Sequence, residues 1–406
     1  MGQTKDKRAK CRKKILCVHH GTGIGGASLE LLYLLQKANR DAFDLKVLCL
    51  HDSEAKDLFR DNQIDVRVLD GWRSFGHSEV HWIKWNRPDI LLWDGFSWFI
   101  TAYWYAKKIL RDEKPDLLYL NSTPLSAWAI AAKKLDIPVI CHVREPIVKG
   151  YFGIRKFLLT YVLKEHVDRF IAVSEQNARA LDLPKQTEVI YGFVHFEQFD
   201  RGVAPAEIPQ TTRGYRKIAL YLGGAATIKG FRVMVDALEH LDPGILVLFG
   251  GYYHGRSSRK DSIRKILRPK LSHYYQKLAS ASNAMTIGVL TNVPNWIAAC
   301  DVLIAPFVVP HFSRPAIEAS AMGKPVIASD VDGMEELVVH EQTGILVPAG
   351  DPKALAQAIN RVCADERRAV SMGEAGYQRA KSVFNGEANT KTTFKVFEGL
   401  LKNTST

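Results

Sequence analysis

The residues with the clearest capacity for chemistry lie on a predicted helix that begins at Ser313 and ends at Gly323. Ser313 is expected to cap this helix, Pro315 lies in its first turn, and Gly323 precedes a buried strand. Glu318 falls among Ala, Ile and Met side chains, where an unpaired carboxylate is costly, so it must accept hydrogen bonds. The donors are either hydroxyl groups of a ligand or a backbone or arginine partner. Arg314 opposes the helix dipole in the first turn, which favours an anion bound beside it.

A glycine-rich turn after the first apolar strand is a second candidate site. Gly21, Gly23 and Gly26 match the dinucleotide-binding spacing G-x-G-x-x-G, and Asp52 is available at the end of the next strand. The following helix N-terminus favours an anion. The alternative is a purely structural turn, because glycine permits backbone conformations with positive φ.

A second glycine-rich turn lies between residues 223 and 230. Lys229 stands beside Gly230 at a predicted helix start, where a lysine can hold a phosphate as a point charge. A surface lysine next to a tight turn is the other interpretation.

Apolar runs of strand length alternate with helical patterns along the chain, which predicts α/β architecture with parallel sheets covered on both faces. Residues 201–214 lack this periodicity and are rich in Pro, Gly and Thr, as is typical of a linker. The sequence therefore predicts two tandem doubly wound, Rossmann-like domains, at residues 1–200 and 215–380, facing a cleft. A final helix within residues 381–406 is expected to pack back toward the first domain. The predicted strands are 15–19, 45–50, 65–69, 116–121, 138–143, 169–173, 187–190, 217–222, 245–249, 285–287, 302–306, 325–328 and 345–347.

The composition is typical of a globular protein, with 406 residues of which 47% are hydrophobic and 24% charged. No stretch reaches the ~20 apolar residues of a membrane-spanning helix, and the basic N-terminus lacks the apolar region of a signal peptide. The six cysteines are scattered singly, which argues against disulfides or structural zinc and for a reducing cytosol. We therefore expect a cytoplasmic protein.

The net charge of +12 is concentrated in two basic runs, at residues 1–14 and 256–270. Both suit an anionic membrane surface, phosphate-bearing substrates or nucleic acid, and both equally suit solvated surface charge. No zinc finger, RNA-recognition signature or helix-turn-helix pattern accompanies them, so no nucleic-acid partner is expected.

Several sequence blocks, in the right order, resemble the retaining GT-B glycosyltransferases of family 4. Residues 318–328 resemble the end of the family's Glu-x7-Glu region and its E-A-x-A-x-G-x-P-V-I-A stretch. Residues 332–337 and 344–348 are similar to its G-G-x-x-E-L and G-L-L-V-P blocks. Residues 292–306 and 172–175 also fit.

This resemblance implies a nucleotide-sugar donor bound mainly by the second domain, an acceptor held mainly by the first, and no metal or other cofactor. By position, Glu318 would bond the ribose hydroxyls and Lys229 the diphosphate. Gly25 and Gly26 would let the first domain approach the phosphates, and Gly224 stands where the family has an arginine. The implied donor-binding set is Gly25, Gly26, Gly224, Lys229, Ser313, Arg314, Pro315 and Glu318.

Two further positions depart from the family pattern. Pro310 replaces the first glutamate of Glu-x7-Glu, with His311 beside it. The histidine that follows the fifth strand of the first domain aligns with Arg144, two residues after His142. We therefore expect catalytic roles for Arg144, His142 and His311, and a structural pairing of Arg144 with Glu145 is the alternative.

Six of the eight tryptophans lie between residues 72 and 104. Aromatic faces stack on sugar rings, and Trp also favours membrane interfaces. Trp72 and Trp98 are the acceptor-side candidates, with core packing as the other interpretation.

The sequence thus predicts a retaining, metal-independent hexosyltransferase, peripheral on the inner face of the cell membrane. It would move a hexose from a UDP- or GDP-sugar to a glycan or lipid-linked acceptor in surface polysaccharide biosynthesis. One alternative, kept open by Pro310, is a catalytically silent GT-B subunit that binds sugars or a partner. The other is an NAD-dependent dehydrogenase that uses the first glycine-rich turn.

Overall fold

The chain folds into two compact units. One comprises Met1–Tyr191 with Glu387–Thr406, and the other comprises Gly192–Gly386. The computed structural model describes residues 12–69, 95–145, 147, 153–209, 214–251 and 269–403. Trp72 and most of both basic runs lie outside these residues. Within them, no helix is both long and apolar enough to cross a bilayer.

The described part of unit 1 contains a parallel sheet of seven strands in the order β3-β2-β1-β4-β5-β6-β7. On β1, Leu16 and Val18 belong to the core on one face of the sheet, and Ile15 and Cys17 to the core on the other. Helices cover both faces, which is why the strands are almost wholly apolar. The strands are β1 (Lys13–His19), β2 (Phe43–Cys49), β3 (Asp65–Val68), β4 (Leu117–Leu120), β5 (Val139–Val143), β6 (Arg169–Ala172) and β7 (Thr187–Val189).

The described part of unit 2 contains a parallel sheet of six strands in the order β10-β9-β8-β11-β12-β13. In both sheets the order reverses beside the unit's first strand, at the switch point where doubly wound sheets bind ligands. Every predicted strand and the doubly wound α/β class are confirmed. The strands are β8 (Lys217–Tyr221), β9 (Ile245–Gly250), β10 (Ala284–Gly288), β11 (Val302–Ala305), β12 (Val326–Asp330) and β13 (Gly344–Pro348).

Helices connect the strands, and the last one returns to unit 1. They are α1 (Gly26–Gln36), α2 (Glu54–Asp61), α3 (Ala106–Glu113), α4 (Ser126–Lys133), α5 (Ile154–His166), α6 (Glu175–Leu181), α7 (Phe231–Ala237), α8 (Pro269–Ser280), α9 (Val293–Ala299), α10 (Arg314–Ala321), α11 (Pro352–Ala364), α12 (Glu366–Val383) and α13 (Gly386–Asn403). Phe397 and Leu401 of α13 are buried in the same cluster as Ile15, and Phe394 stacks on Phe43. The predicted return of the C-terminal helix is confirmed.

The boundary between the units differs from the predicted linker. It falls after residue 191, and the described part of 201–214 belongs to unit 2. The Ala206 amide donates to the Asn295 carbonyl (2.8 Å), and the Asn295 side chain donates to the Ala204 carbonyl (2.9 Å). The segment lacks periodicity because its backbone bonds to α9 rather than to a helix or sheet of its own.

A buried chain of hydrogen bonds holds the glycine-rich turn after β1. Arg144 Nε donates to Asn121 Oδ1 (2.9 Å), and Asn121 Nδ2 donates to His19 Nδ1 (2.9 Å). His19 Nε2 then donates to Ser28 Oγ (3.2 Å), whose hydroxyl donates to the Gly23 carbonyl (2.9 Å). A guanidinium can only donate, so the direction of the chain is set and His19 is neutral with its proton on Nε2.

Burial, helped by the nearby charges of His20, Arg144 and His51, lowers the pKa of His19 from 6.5 to about 3. The unfolded chain binds a proton here below pH 6.5, whereas the folded chain does so only below about pH 3. The free energy of unfolding therefore falls as the pH drops through this window.

The glycine-rich turn after β8 is held from two sides. The buried Tyr221 hydroxyl lies 3.1 Å from the carbonyl oxygens of both Gly224 and Lys229. Gly230, with φ of +78°, lies so close to the chain after β11 that a Cβ there would be 1.7 Å from the Pro306 carbonyl oxygen. Only glycine satisfies both the backbone angle and this approach.

We expect His19→Gln to weaken the acid dependence of stability. Between pH 6 and pH 4 the variant should lose about 2 kcal/mol less unfolding free energy than the parent chain, because the titrating imidazole is gone. Urea unfolding at a series of pH values measures this. Ser28→Ala is the control, since it breaks the same chain but keeps the imidazole and hence the slope. Equal slopes for parent and His19→Gln would contradict the assignment.

We expect Gly230→Ala to cost about 2–4 kcal/mol of unfolding free energy, from backbone strain and the clash with Pro306. Gly350→Ala is the matched control, since Gly350 has a similar φ of +80° with nothing within 4 Å of an added Cβ. It should cost only about 1 kcal/mol. Equal costs, measured by denaturant unfolding, would show that the close approach contributes nothing.

Candidate functional site

The unit 2 site is built at the carboxyl ends of the adjacent strands β8 and β11. The turn after β8 and the loop after β11 are joined by a hydrogen bond from the Val308 amide to the Ile228 carbonyl (3.0 Å). Lys229 stands in this turn and is half-buried. Its ammonium group bonds to none of the described residues, and burial lowers its pKa. The group has lost hydration without gaining a carboxylate, so it is suited to an anionic ligand.

The loop after β11 leads into α10, whose N-terminus is unusual. Ser313 occupies the N-cap position and is fully buried, yet its hydroxyl caps no backbone amide and has no partner among the described residues. Pro315 lies in the first turn, as predicted. A helix N-terminus with a buried, unbonded hydroxyl offers donors to a negatively charged group.

Glu318 is buried on α10 and bonds to Arg314, one turn earlier. Arg314 Nε donates to Glu318 Oε1 at 2.5 Å, with both side chains almost removed from solvent. Of the two partners left open by the sequence, the arginine is thus the one present. An anionic ligand beside Arg314 stays a prediction. The second carboxylate oxygen, Glu318 Oε2, accepts no bond from the described residues and stays available to a ligand hydroxyl.

Two of the three departures from the family pattern lie in unit 2. His311, beside Pro310, is half-buried and stacks on Phe307 with ring centroids 4.5 Å apart. Gly224 has φ of +57° and bonds through its amide to the Gly250 carbonyl (3.1 Å). A Cβ on Gly251 would lie 2.7 Å from the Gly224 Cα, so these loops meet backbone to backbone.

In unit 1, Arg144 forms a buried ion pair with Glu30 of α1. Its bonds go to Glu30 and Asn121, so the suggested pairing with Glu145 is not the one that buries it. Arg144 lies beside the first glycine-rich turn and anchors the hydrogen-bond chain that ends there.

His142 lies inside the sheet rather than at a reacting centre. Its Nδ1 bonds to the Tyr119 hydroxyl, and its Nε2 is buried without a partner in the described chain. Burial, together with the charge of Arg144, lowers its pKa well below the usual value. His142 is therefore an interior residue of unit 1, and its catalytic role stays a prediction.

The first glycine-rich turn leads directly into α1. Gly25 is the N-cap and Gly26 the first helical residue, and a Cβ on Gly25 would meet nothing within 4 Å. Gly21 instead packs on His19, where a Cβ would lie 2.8 Å from Nε2. Asp52, the acid that a dinucleotide site would need, is an exposed partner of Lys56.

Trp98 is half-buried, with its indole nitrogen 3.2 Å from Ser126 Oγ. Its ring packs against Ala102, Ala127 and Ile130. Trp98 thus takes part in helix packing, and its role on the acceptor side stays a prediction. The described residues contain no group of three metal-ligating side chains.

Sequence reasoning missed Glu30, Asn121 and Tyr221. A usable signal was present for two of them, because Asn121 follows β4 and Tyr221 ends β8, at the sheet edges where ligands bind. Glu30 had none, since its partner is 114 residues away.

Comparison with known proteins places both units in one family. Residues 216–365 match the model of the glycosyl transferases group 1, and residues 24–198 match that of glycosyltransferase family 4. An uncharacterized glycosyltransferase of Methanocaldococcus jannaschii is 24% identical over 87% of this chain and 94% of its own length. The lipopolysaccharide core biosynthesis mannosyltransferase LpsB of Rhizobium meliloti is 28% identical over 63% of this chain and 70% of its own length.

Among solved structures, Anabaena HepE in complex with UDP and glucose has the same fold. It superposes with a TM-score of 0.75 at 20% identity, covering 95% of this chain and 100% of HepE. The two matched family models and the two doubly wound sheets agree with the sequence blocks around Glu318. The chain therefore belongs to the group 1 glycosyltransferases of glycosyltransferase family 4 and has the GT-B fold.

Proposed function

We propose that the chain is a retaining hexosyltransferase that uses a UDP- or GDP-sugar to build a surface polysaccharide or glycoconjugate. The observation that carries this proposal is the ammonium group of Lys229, partly desolvated and bonded to none of the described residues, at the carboxyl edge of the unit 2 sheet. A cation in this position gains free energy from a bound diphosphate, because the fold has already imposed the desolvation cost.

Different neighbouring groups would bind the diphosphate and the ribose of a nucleotide sugar. Lys229 and the N-terminus of α10 would hold the diphosphate, with Ser313 Oγ as a further donor. Glu318 Oε2 would accept a ribose hydroxyl while Arg314 holds the other carboxylate oxygen. As charge develops on the leaving phosphate, Lys229 and the helix dipole would stabilise it without a metal ion.

The names of similar proteins support a nucleotide-sugar donor and a polysaccharide or glycoconjugate product. HepE was crystallised with UDP and glucose, and LpsB is a mannosyltransferase of lipopolysaccharide core biosynthesis. The family resemblance adds front-face transfer, in which the departing phosphate helps to deprotonate the acceptor hydroxyl. A glycan or lipid-linked acceptor at the inner face of the cell membrane completes the proposal.

We expect one family of nucleotide diphosphates to raise the melting temperature. The panel is UDP, GDP, UDP-glucose, UDP-galactose, UDP-N-acetylglucosamine, GDP-mannose and NADH, each with EDTA to remove metal ions. A ligand at 100 times its Kd should add about 2.7 kcal/mol of unfolding free energy. A rise with NADH alone would favour the dehydrogenase. No rise with any nucleotide diphosphate would favour the silent subunit.

We expect Lys229→Gln and Glu318→Gln each to weaken binding of the active nucleotide sugar about tenfold or more, because each removes a charge-assisted hydrogen bond worth ~1.5–3 kcal/mol. Isothermal titration measures the Kd, and circular dichroism confirms folding. Lys353→Gln, an exposed substitution on α11, is the matched control and should leave the Kd unchanged. Parent-like affinity in a folded Lys229→Gln variant would remove Lys229 from the site.

A further inference from the structure

Helix α5 of unit 1 has two apolar faces, and only one of them is in the core. Leu159 and Leu163 are buried against the sheet. Ile154, Phe157, Leu158 and Tyr161, at spacing i, i+3, i+4 and i+7, are 55–69% exposed. Helices on the surface of globular proteins normally carry polar residues on this second face. The stripe is therefore built to be covered by something outside unit 1.

The neighbouring helical segment, residues 95–113, presents the same feature. Its Phe99 and Trp104 are 50% and 70% exposed. Both segments pack against α4, because Trp98, Tyr103 and Val162 contact the same small cluster around Ala127 and Ile130. The exposed side chains of both segments therefore lie on helices that cover one face of the sheet. We call Phe99, Trp104, Ile154, Phe157, Leu158 and Tyr161 together the apolar surface.

Positive charge predominates in the two segments that carry the apolar surface. Residues 95–113 and 154–166 contain six Lys and Arg against three carboxylates, Asp112, Glu113 and Glu165. Lys134 adds another cation, with Nζ 3.8 Å from the Tyr103 ring centroid. A protein partner of ordinary composition would not require this excess of positive over negative charge.

We propose that the apolar surface docks on an anionic lipid bilayer. Exposed aromatic and aliphatic groups at helical spacing, with lysines beside them, suit a helix that lies in the membrane interface. Trp104 and Tyr161 each join an apolar ring to a polar tip, as residues at the headgroup level do. Neither segment crosses the membrane, since no described helix is long and apolar enough to span it. The inference rests on the proposed function only for the lipid-linked acceptor that such docking would bring within reach.

Vesicle co-sedimentation of the full chain tests this proposal. The vesicles contain phosphatidylethanolamine with phosphatidylglycerol, or phosphatidylcholine alone. We expect binding to the anionic vesicles, weakened by salt, and about tenfold or greater loss in the Trp104→Ser/Phe157→Ser variant. Val370→Ser is the matched control, since Val370 is 66% exposed on α12 of unit 2, and it should bind as the parent does. Lys156→Glu/Lys164→Glu tests the charge contribution independently should the serine variant fold poorly, and it should also lose binding.

Three results would overturn the proposal. The first is the absence of vesicle binding by the parent chain, and the second is equal binding by the parent and both double variants. The third is a parent chain that is dimeric without lipid and becomes monomeric in Trp104→Ser/Phe157→Ser, measured by analytical ultracentrifugation, because the surface would then be a subunit interface. Nucleotide thermal shifts are measured on the same samples. They depend on unit 2 residues, so failure of membrane docking is distinguishable from failure of the donor site.

Discussion

Both faces of the two parallel sheets are buried, which limits where polar side chains can lie. On β1 the side chains between the two ends of the strand are all apolar, and its polar groups lie at those ends. His19 ends β1, Asn121 follows β4, and Lys229 lies in the turn after β8. Polar side chains that can bind a ligand therefore lie at the edge of the sheet.

The polar side chains at the sheet edges find hydrogen-bond partners in unit 1, whereas some of those in unit 2 do not. In unit 1, Arg144, Asn121, His19 and Ser28 bond to one another in a single direction and end on a carbonyl of the glycine-rich turn. Such a network is complete in itself and stiffens the turn. In unit 2, Lys229 and the Ser313 hydroxyl have no partner in the described chain, so binding free energy is available there to a ligand. Arg314 pairs with Glu318, which offsets the cost of burying that carboxylate.

The apolar surface of unit 1 follows from the same packing layer. Helices α4 and α5 cover the sheet with one set of apolar residues, and α5 repeats the apolar pattern on its outer side. That second stripe adds nothing to the core of the unit, so its free energy of burial remains available for association with another surface.

Local periodicity, turn residues and short ordered blocks were enough to predict the strands, the helix of Glu318, the return of the C-terminal helix and the family. Which side chains meet could not be predicted in this way. Arg144 pairs with Glu30 rather than its neighbour Glu145, because strand order brings the end of β5 to α1 across 114 residues. His142 lies against Tyr119, and the apolar stripe of α5 faces outward. A pattern at spacing i, i+3, i+4 and i+7 specifies an apolar helix face, but which face meets the core is set by the packing of elements distant in sequence.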